Sequence, residues 1–68
     1  MKVSARNALS GKIVALKKGA TTAHVVIDVN GLKVTASITN ESVDELGLKV
    51  GGDATAIVKS SEVIVAVD

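Results

Sequence analysis

A chain of 68 residues with no Cys and a single His is one small domain, able to bury only about 60% of the surface its unfolded form exposes, and it has no disulfide and only that one His as a soft metal ligand to compensate. Its 47% hydrophobic content includes no aromatic residue, so the core must be built from Val, Ala, Leu and Ile, which suit close-packed sheets, and association with further copies is the remaining way to enlarge it. Eight basic against seven acidic residues leave a net charge of +1, which excludes a whole-molecule field for nucleic acid or an anionic membrane; with no signal-type apolar segment and no membrane-length run, a cytoplasmic location without a membrane partner is expected.

The first segment, "MKVSARNALSGKIVAL", sets Ser4, Arg6 and Asn7 where a strand would alternate apolar and polar residues, and Arg6 is the sole arginine. "GKIVALKKG", residues 11–19, predicts a first strand bounded by glycines, its Lys17-Lys18-Gly19 end reading as a turn. Two β-rich runs come next, near residues 21–29 and 32–38, joined by Asn30-Gly31, a pair that accepts the positive φ of a tight hairpin turn. In "TNESVDELGL", Thr39 or Asn40 can cap, Glu41, Asp44 and Glu45 favour the positive end of a short helix near residues 41–46, and Gly47 ends it. Strands are predicted again near residues 53–59 and 62–67, with Ser60 and Ser61 at their junction.

Three strands, a short helix and two strands match an all-β fold: a five-stranded OB-like Greek-key barrel with one short helix between strands 3 and 4. An SH3-like barrel is the alternative topology. Residues 1–68 read as a single domain, without linker, repeat or low-complexity tract. Strict alternation puts Ile13 and Ala15 on one face of the first strand and Val14 and Leu16 on the other. In the last strand Val63, Val65 and Val67 oppose Ile64 and Ala66. Two apolar faces imply a covering neighbour, and a second copy of the chain is the natural one.

Little here suggests catalysis. Ser4, His24 and Asp28 could be drawn as a triad, but their spacing does not favour one, and so small a barrel offers little cleft. A non-enzyme is expected, without a bound metal cation. An OB-type nucleic-acid-binding module is a second reading, yet such surfaces stack bases on aromatic rings, and this chain has none; its lysines are also dispersed rather than striped. Two donor-rich clusters remain. "SARN" offers the Ser4 hydroxyl, the Arg6 guanidinium, the Asn7 amide and backbone N–H groups; "KSS" offers the Lys59 ammonium and the Ser60 and Ser61 hydroxyls. Neither cluster contains a carboxylate, and a fully deprotonated tetrahedral oxyanion rewards a site made only of donors. From the residues alone both also read as strand ends with solvated charges and turn serines.

"SARNALSGKI" and "KSSEVIVAV", in that order around the central "NG", resemble the paired signatures of the molybdenum-pterin-binding protein family, the molbindins, in single-domain form. Ile13 stands where many members carry Val. The resemblance covers the whole chain and implies an OB-like barrel in a homohexamer, a trimer of dimers, that binds molybdate or tungstate at subunit interfaces as an intracellular store. Carried onto this sequence, it implies a site of Ser4, Ala5 and Arg6 from one subunit with Lys59, Ser60 and Ser61 from a neighbour. A second oxyanion site near a threefold axis maps to Gly19, Ala20, Thr21 and Thr22, residues that a plain turn would equally use. A sensor passing the oxyanion signal to a partner protein is a further role within this class. No pterin is expected, because a flat bicyclic ligand wants aromatic or broad apolar walls.

Overall fold

In the computed structural model, residues 2–68 are described. Four strands, β1 (Asn7–Lys18), β2 (Thr22–Val29), β3 (Leu32–Thr39) and β4 (Asp53–Val58), form one antiparallel sheet in the order β3-β2-β1-β4, with a helix α1 (Asn40–Leu46) between β3 and β4. A 3-10 turn, Ser60–Glu62, comes after β4. β1 begins four residues earlier than the glycine-bounded run suggests, because its first half has its own partner: Asn7 through Lys12 pair with β4, and Lys12 onward pairs with β2. One long strand shared between two neighbours curls the sheet into a half-barrel.

Local chemistry explains the curl. Ile13 pairs with Ile27 and Ala15 with Val26, leaving Val14 as an extra, bulged residue. A bulge of this kind bends the strand and advances the side-chain phase by one. Strict alternation therefore fails at that point: Ile13, 1% exposed, and Leu16 both pack in the core, while Val14 remains 43% exposed. Just before the bulge, Gly11 lies so close to β2 that a Cβ would overlap the Asp28 carbonyl. Gly11→Ala is expected to lose most of the fold's cooperativity, read as a collapsed melting transition, since backbone cannot yield as a flexible side chain would.

The Asn30-Gly31 turn has φ of 50° and 93°, the paired positive values of a type I′ hairpin. Asp28 Oδ1 accepts from the Gly31 amide at 3.1 Å and from Lys33 Nζ at 3.4 Å, bracing it. At α1, Thr39 is the N-cap, its Oγ1 accepting from the Ser42 amide at 3.0 Å, and Gly47 ends the helix at φ 64°. That helix is short but supplies Val43, 3% exposed, as a plug over Ile13, Ala23, Val25 and Ile27. Deep burial stops there, and Leu16, Val29, Ile38, Leu48, Ala54 and Ala56 are only partly covered.

The expected fifth strand over residues 62–67 is absent, and the single chain is a four-stranded half-barrel rather than a closed five-stranded barrel. Val63, Ile64, Val65 and Val67 are 50%, 92%, 85% and 91% exposed. Sequence propensity points to extended backbone but cannot supply a ladder. A strand exists only where an edge pairs with it, and the turn at Ser60–Glu62 leads into an extended Val63 (φ −86°, ψ 125°) without bringing residues 64–68 onto the sheet. Between the edges of β3 and β4 the sheet leaves an apolar trough of about 550 Å³, lined by Val25, Ile27, Val34, Ile38, Leu48 and Ala56 among others.

Candidate functional site

The two donor clusters, 52 positions apart from Asn7 to Lys59 in the sequence, meet at one end of the β1/β4 ladder. Asn7 is the first residue of β1 and its Cα partner is Val58, the last of β4. The Asn7 side chain locks this end, Nδ2 donating to the Val58 carbonyl at 3.1 Å. Ser4, Ala5 and Arg6 therefore approach the ladder end as Lys59, Ser60 and Ser61 of the same chain leave it, so the two groups already adjoin within one chain, where the resemblance assigns them to two subunits. Ala5 is half-buried, the other five are exposed. In the turn, the Glu62 amide donates to the Lys59 carbonyl at 2.9 Å and the Val63 amide to the Ser60 carbonyl at 3.3 Å, while no side chain caps its start.

Three of the basic residues are in ion pairs, and Lys2, Lys17 and Lys49 are in none among the described residues. Lys12 pairs with Asp53 at 2.5 Å, Lys18 with Asp44 at 2.5 Å and Lys33 with Asp28 at 3.4 Å. Among the described residues neither Arg6 nor Lys59 is in an ion pair, and the hydroxyls of Ser4, Ser60 and Ser61 are in no side-chain hydrogen bond. Two cations and three hydroxyls at one place, without internal partners, have the donor-only chemistry that a tetrahedral dianion needs. One neighbour was not counted with the cluster: Glu62, an acidic residue, directly succeeds Ser61 in the same turn. Its adjacency is plain in "KSSE", but a strand with alternating faces would separate it from Ser61, whereas the turn groups them.

The residues of the second candidate lie at the opposite end of β1. Gly19, Ala20 and Thr21 connect β1 to β2 and Thr22 opens β2. The Gly19 amide donates to the Thr22 carbonyl at 2.8 Å, and Thr21 and Thr22 hydroxyl oxygens are 3.5 Å apart. Asn40, which the sequence offered only as a possible cap, holds this loop instead: its Nδ2 donates to the Gly19 carbonyl at 2.9 Å and its amide to the Thr21 carbonyl at 2.9 Å. The Asn40 Oδ1 is buried without a partner among the described residues. The structure does not bring this loop to the first cluster.

Other arrangements are unproductive. His24 is exposed on the outer face between Lys17 and Ser37, four residues along β2 from Asp28 and thus about 13 Å away, which dissolves the paper triad with Ser4. An outer depression of about 620 Å³ is lined by Ser10, Lys12, Asp53 and Thr55, but its polar groups satisfy one another, Ser10 with Thr55 at 3.0 Å and Lys12 with Asp53. No group of three or more metal-ligating side chains occurs among the described residues, and no helix there is long and apolar enough to cross a membrane.

A curled sheet with a single capping helix and an N-terminal donor cluster against the end of its last strand defines a class, and the TOBE domain model matches residues 3–65. Molybdenum-pterin-binding protein 2 of Clostridium pasteurianum is 52% identical over 66 residues, covering 96% of this chain and 97% of that protein. The fold is also that of a molybdate-binding protein from Sporomusa ovata, with a TM-score of 0.93, 39% identity and coverage of 97% of this chain and 98% of the other. ModG, described as a cytoplasmic molybdate-binding protein, matches with a TM-score of 0.90 and 42% identity over 94% of this chain and 46% of its own length. The chain belongs to the molybdenum-pterin-binding protein family, a family of binding domains rather than enzymes.

Proposed function

We propose that this protein binds molybdate, and with it tungstate, as the free oxyanion, and acts as a cytoplasmic store or buffer. The observation that carries this is the pairing of two carboxylate-free clusters, with the unpaired cations Arg6 and Lys59, at one end of the β1/β4 ladder. A relative of similar length and fold that is a molybdate-binding protein, that of Sporomusa ovata, supports the choice of ion. Ser4, Ser60 and Ser61 hydroxyls and the backbone at Ala5 orient the oxygens, while Arg6 and Lys59 balance the charge. Sulfate is disfavoured by its smaller size, and phosphate by its smaller size and by the proton it carries near neutral pH, which leaves it a weaker match for a site rich in donors. Molybdate and tungstate, alike in shape and charge, are hardly separated. No pterin enters this reading, because the chain has no Phe, Tyr or Trp to form the wall a flat bicyclic ring wants.

The site works in a homo-oligomer, and the resemblance points to a hexamer built as a trimer of dimers from domains spanning residues 1–68. Support for association comes from two unfinished surfaces of one chain: an apolar trough and an exposed apolar tail. Residues 63–68 extend about 20 Å at the usual strand rise, the length of the six-residue β4. Laid between the β3 and β4 edges of a second copy, such a tail closes a five-stranded OB-like barrel and sets the clusters of two chains near each other, as strand addition does elsewhere. Gly19, Ala20, Thr21 and Thr22 form the second oxyanion site in the same assembly.

Calorimetry with molybdate, tungstate, sulfate and phosphate tests the reading, with a single-stranded oligonucleotide as the nucleic-acid control. At a hundredfold excess of free molybdate over Kd, ligand linkage contributes about 2.7 kcal/mol, and the melting temperature should rise clearly with molybdate and tungstate alone. No heat and no shift at millimolar molybdate would sink it. Glu62→Gln should strengthen molybdate binding a few fold at low salt, because it removes a like charge beside the ion; the gain should fade as salt screens the site.

A further inference from the structure

Residues 59–62 do two things at once. They carry Lys59, Ser60 and Ser61, and they are the whole connection between the end of β4 and the apolar tail. Their path decides where residues 63–68 go. A four-residue connection is also a common length for a hairpin that would return the tail alongside its own β4, into the trough that the same chain leaves open. Two destinations of matching shape are thus available to one segment, its own trough and that of a second copy, and only the backbone of the connector distinguishes them.

The turn as formed is held by two backbone hydrogen bonds, one of them 3.3 Å long, with no side-chain cap. The residue after it is extended, and the tail lies off its own sheet. Asn7, in contrast, pins Val58 firmly at the ladder end. The boundary between a fixed ladder and a lightly held turn falls at Lys59, the first residue of the second donor cluster. Because these groups adjoin within one chain, an oxyanion bridging Arg6, on the fixed side, and Lys59, Ser60 and Ser61 of the same chain, on the turn, would tie that turn to its own ladder.

We propose that residues 59–62 are a ligand-set hinge: a tetrahedral dianion held across Arg6 and Lys59, Ser60 and Ser61 fixes the outward path of the tail into a second copy, and its departure frees the tail to return to its own trough. Oxyanion occupancy therefore slows the exchange of subunits between assemblies. This rests on the oxyanion reading of the site. It adds a control of assembly lifetime by the stored ion, through a two-state segment whose equilibrium the ligand biases.

Subunit exchange can be followed on the unmodified full chain. Unlabelled and nitrogen-15-labelled protein are mixed, and mixed assemblies are counted by native mass spectrometry against time, with sodium molybdate or with sulfate at equal ionic strength. Molybdate at saturation should lengthen the exchange half-time at least tenfold, sulfate should leave it unchanged, and Ser61→Ala with Lys59→Ala should exchange at the ligand-free rate in either salt. Binding heat with an unchanged half-time overturns the hinge and leaves the oxyanion reading standing; absence of heat overturns the reading and the hinge with it. A Gly-Ser-Gly insertion after Glu62 provides a second test. It should raise the folded monomer fraction by easing the return path, and an assembly as resistant to dilution as the parent, or a chain that unfolds when it dissociates, would overturn the existence of the returned state.

Discussion

Arg6→Ala should weaken molybdate binding ten- to a hundredfold while leaving the melting temperature of the ligand-free protein nearly unchanged. The guanidinium is exposed and in no ion pair among the described residues, so little of the fold depends on it. Charge-assisted hydrogen bonds contribute roughly 1.5–3 kcal/mol each, and each 1.4 kcal/mol is a factor of ten in Kd. Arg6→Lys should recover only part of the loss, since an ammonium keeps the charge but not the planar fork that meets two oxygens at once. Titration calorimetry on both variants checks this. Equal affinities for parent and Arg6→Ala would remove the arginine from the site and with it the main argument for reading "SARN" as half of one.

The second large effect concerns the tail. Val65 is 85% exposed in the single chain, where a change to aspartate would be harmless. If the tail closes a partner's trough, the same change puts a carboxylate into an apolar groove. Burying Val is worth about 1.5–3 kcal/mol, and an unpaired charge there costs several more, at every exchanged tail in the assembly. Val65→Asp should therefore sediment as a monomer near 7 kDa at concentrations where the parent is oligomeric, and lose oxyanion affinity along with it. Retention of the oligomer by Val65→Asp would show that the trough is filled by something other than the tail. Val14→Ser is the control: Val14 is an exposed bulge residue away from that trough, and the substitution should leave sedimentation unchanged.

The sequence was legible where structure depends on near neighbours. Asn30-Gly31 demanded positive φ and became the hairpin; Thr39 and Gly47 bounded the helix as their chemistry prefers. Alternation breaks at Val14, because a bulge adds a residue to one strand only, and nothing local marks the point at which the phase slips. It breaks down again after Ser61. The run of β-branched residues is plain in the sequence, but whether an extended run becomes a strand depends on an edge supplied from elsewhere, by the same chain or another.

The candidate site divides the same way. Its chemical character, donors without carboxylates and cations without aromatics, belongs to composition and short motifs, and could be read from "SARN" and "KSS" directly. Their meeting could not: it arises because β1 is long enough to pair with β4 before it bends to β2, which brings Asn7 opposite Val58. Glu62 joined the picture for a similar reason, once the segment proved to be a turn. By itself the sequence determined which residues could hold an oxyanion, since that is a property of functional groups. Only the tertiary structure decided that the two groups of residues share one ladder end and that the tail leaves from it, because those are consequences of long-range pairing, where residues far apart in the chain become neighbours through backbone hydrogen bonds that no short stretch encodes.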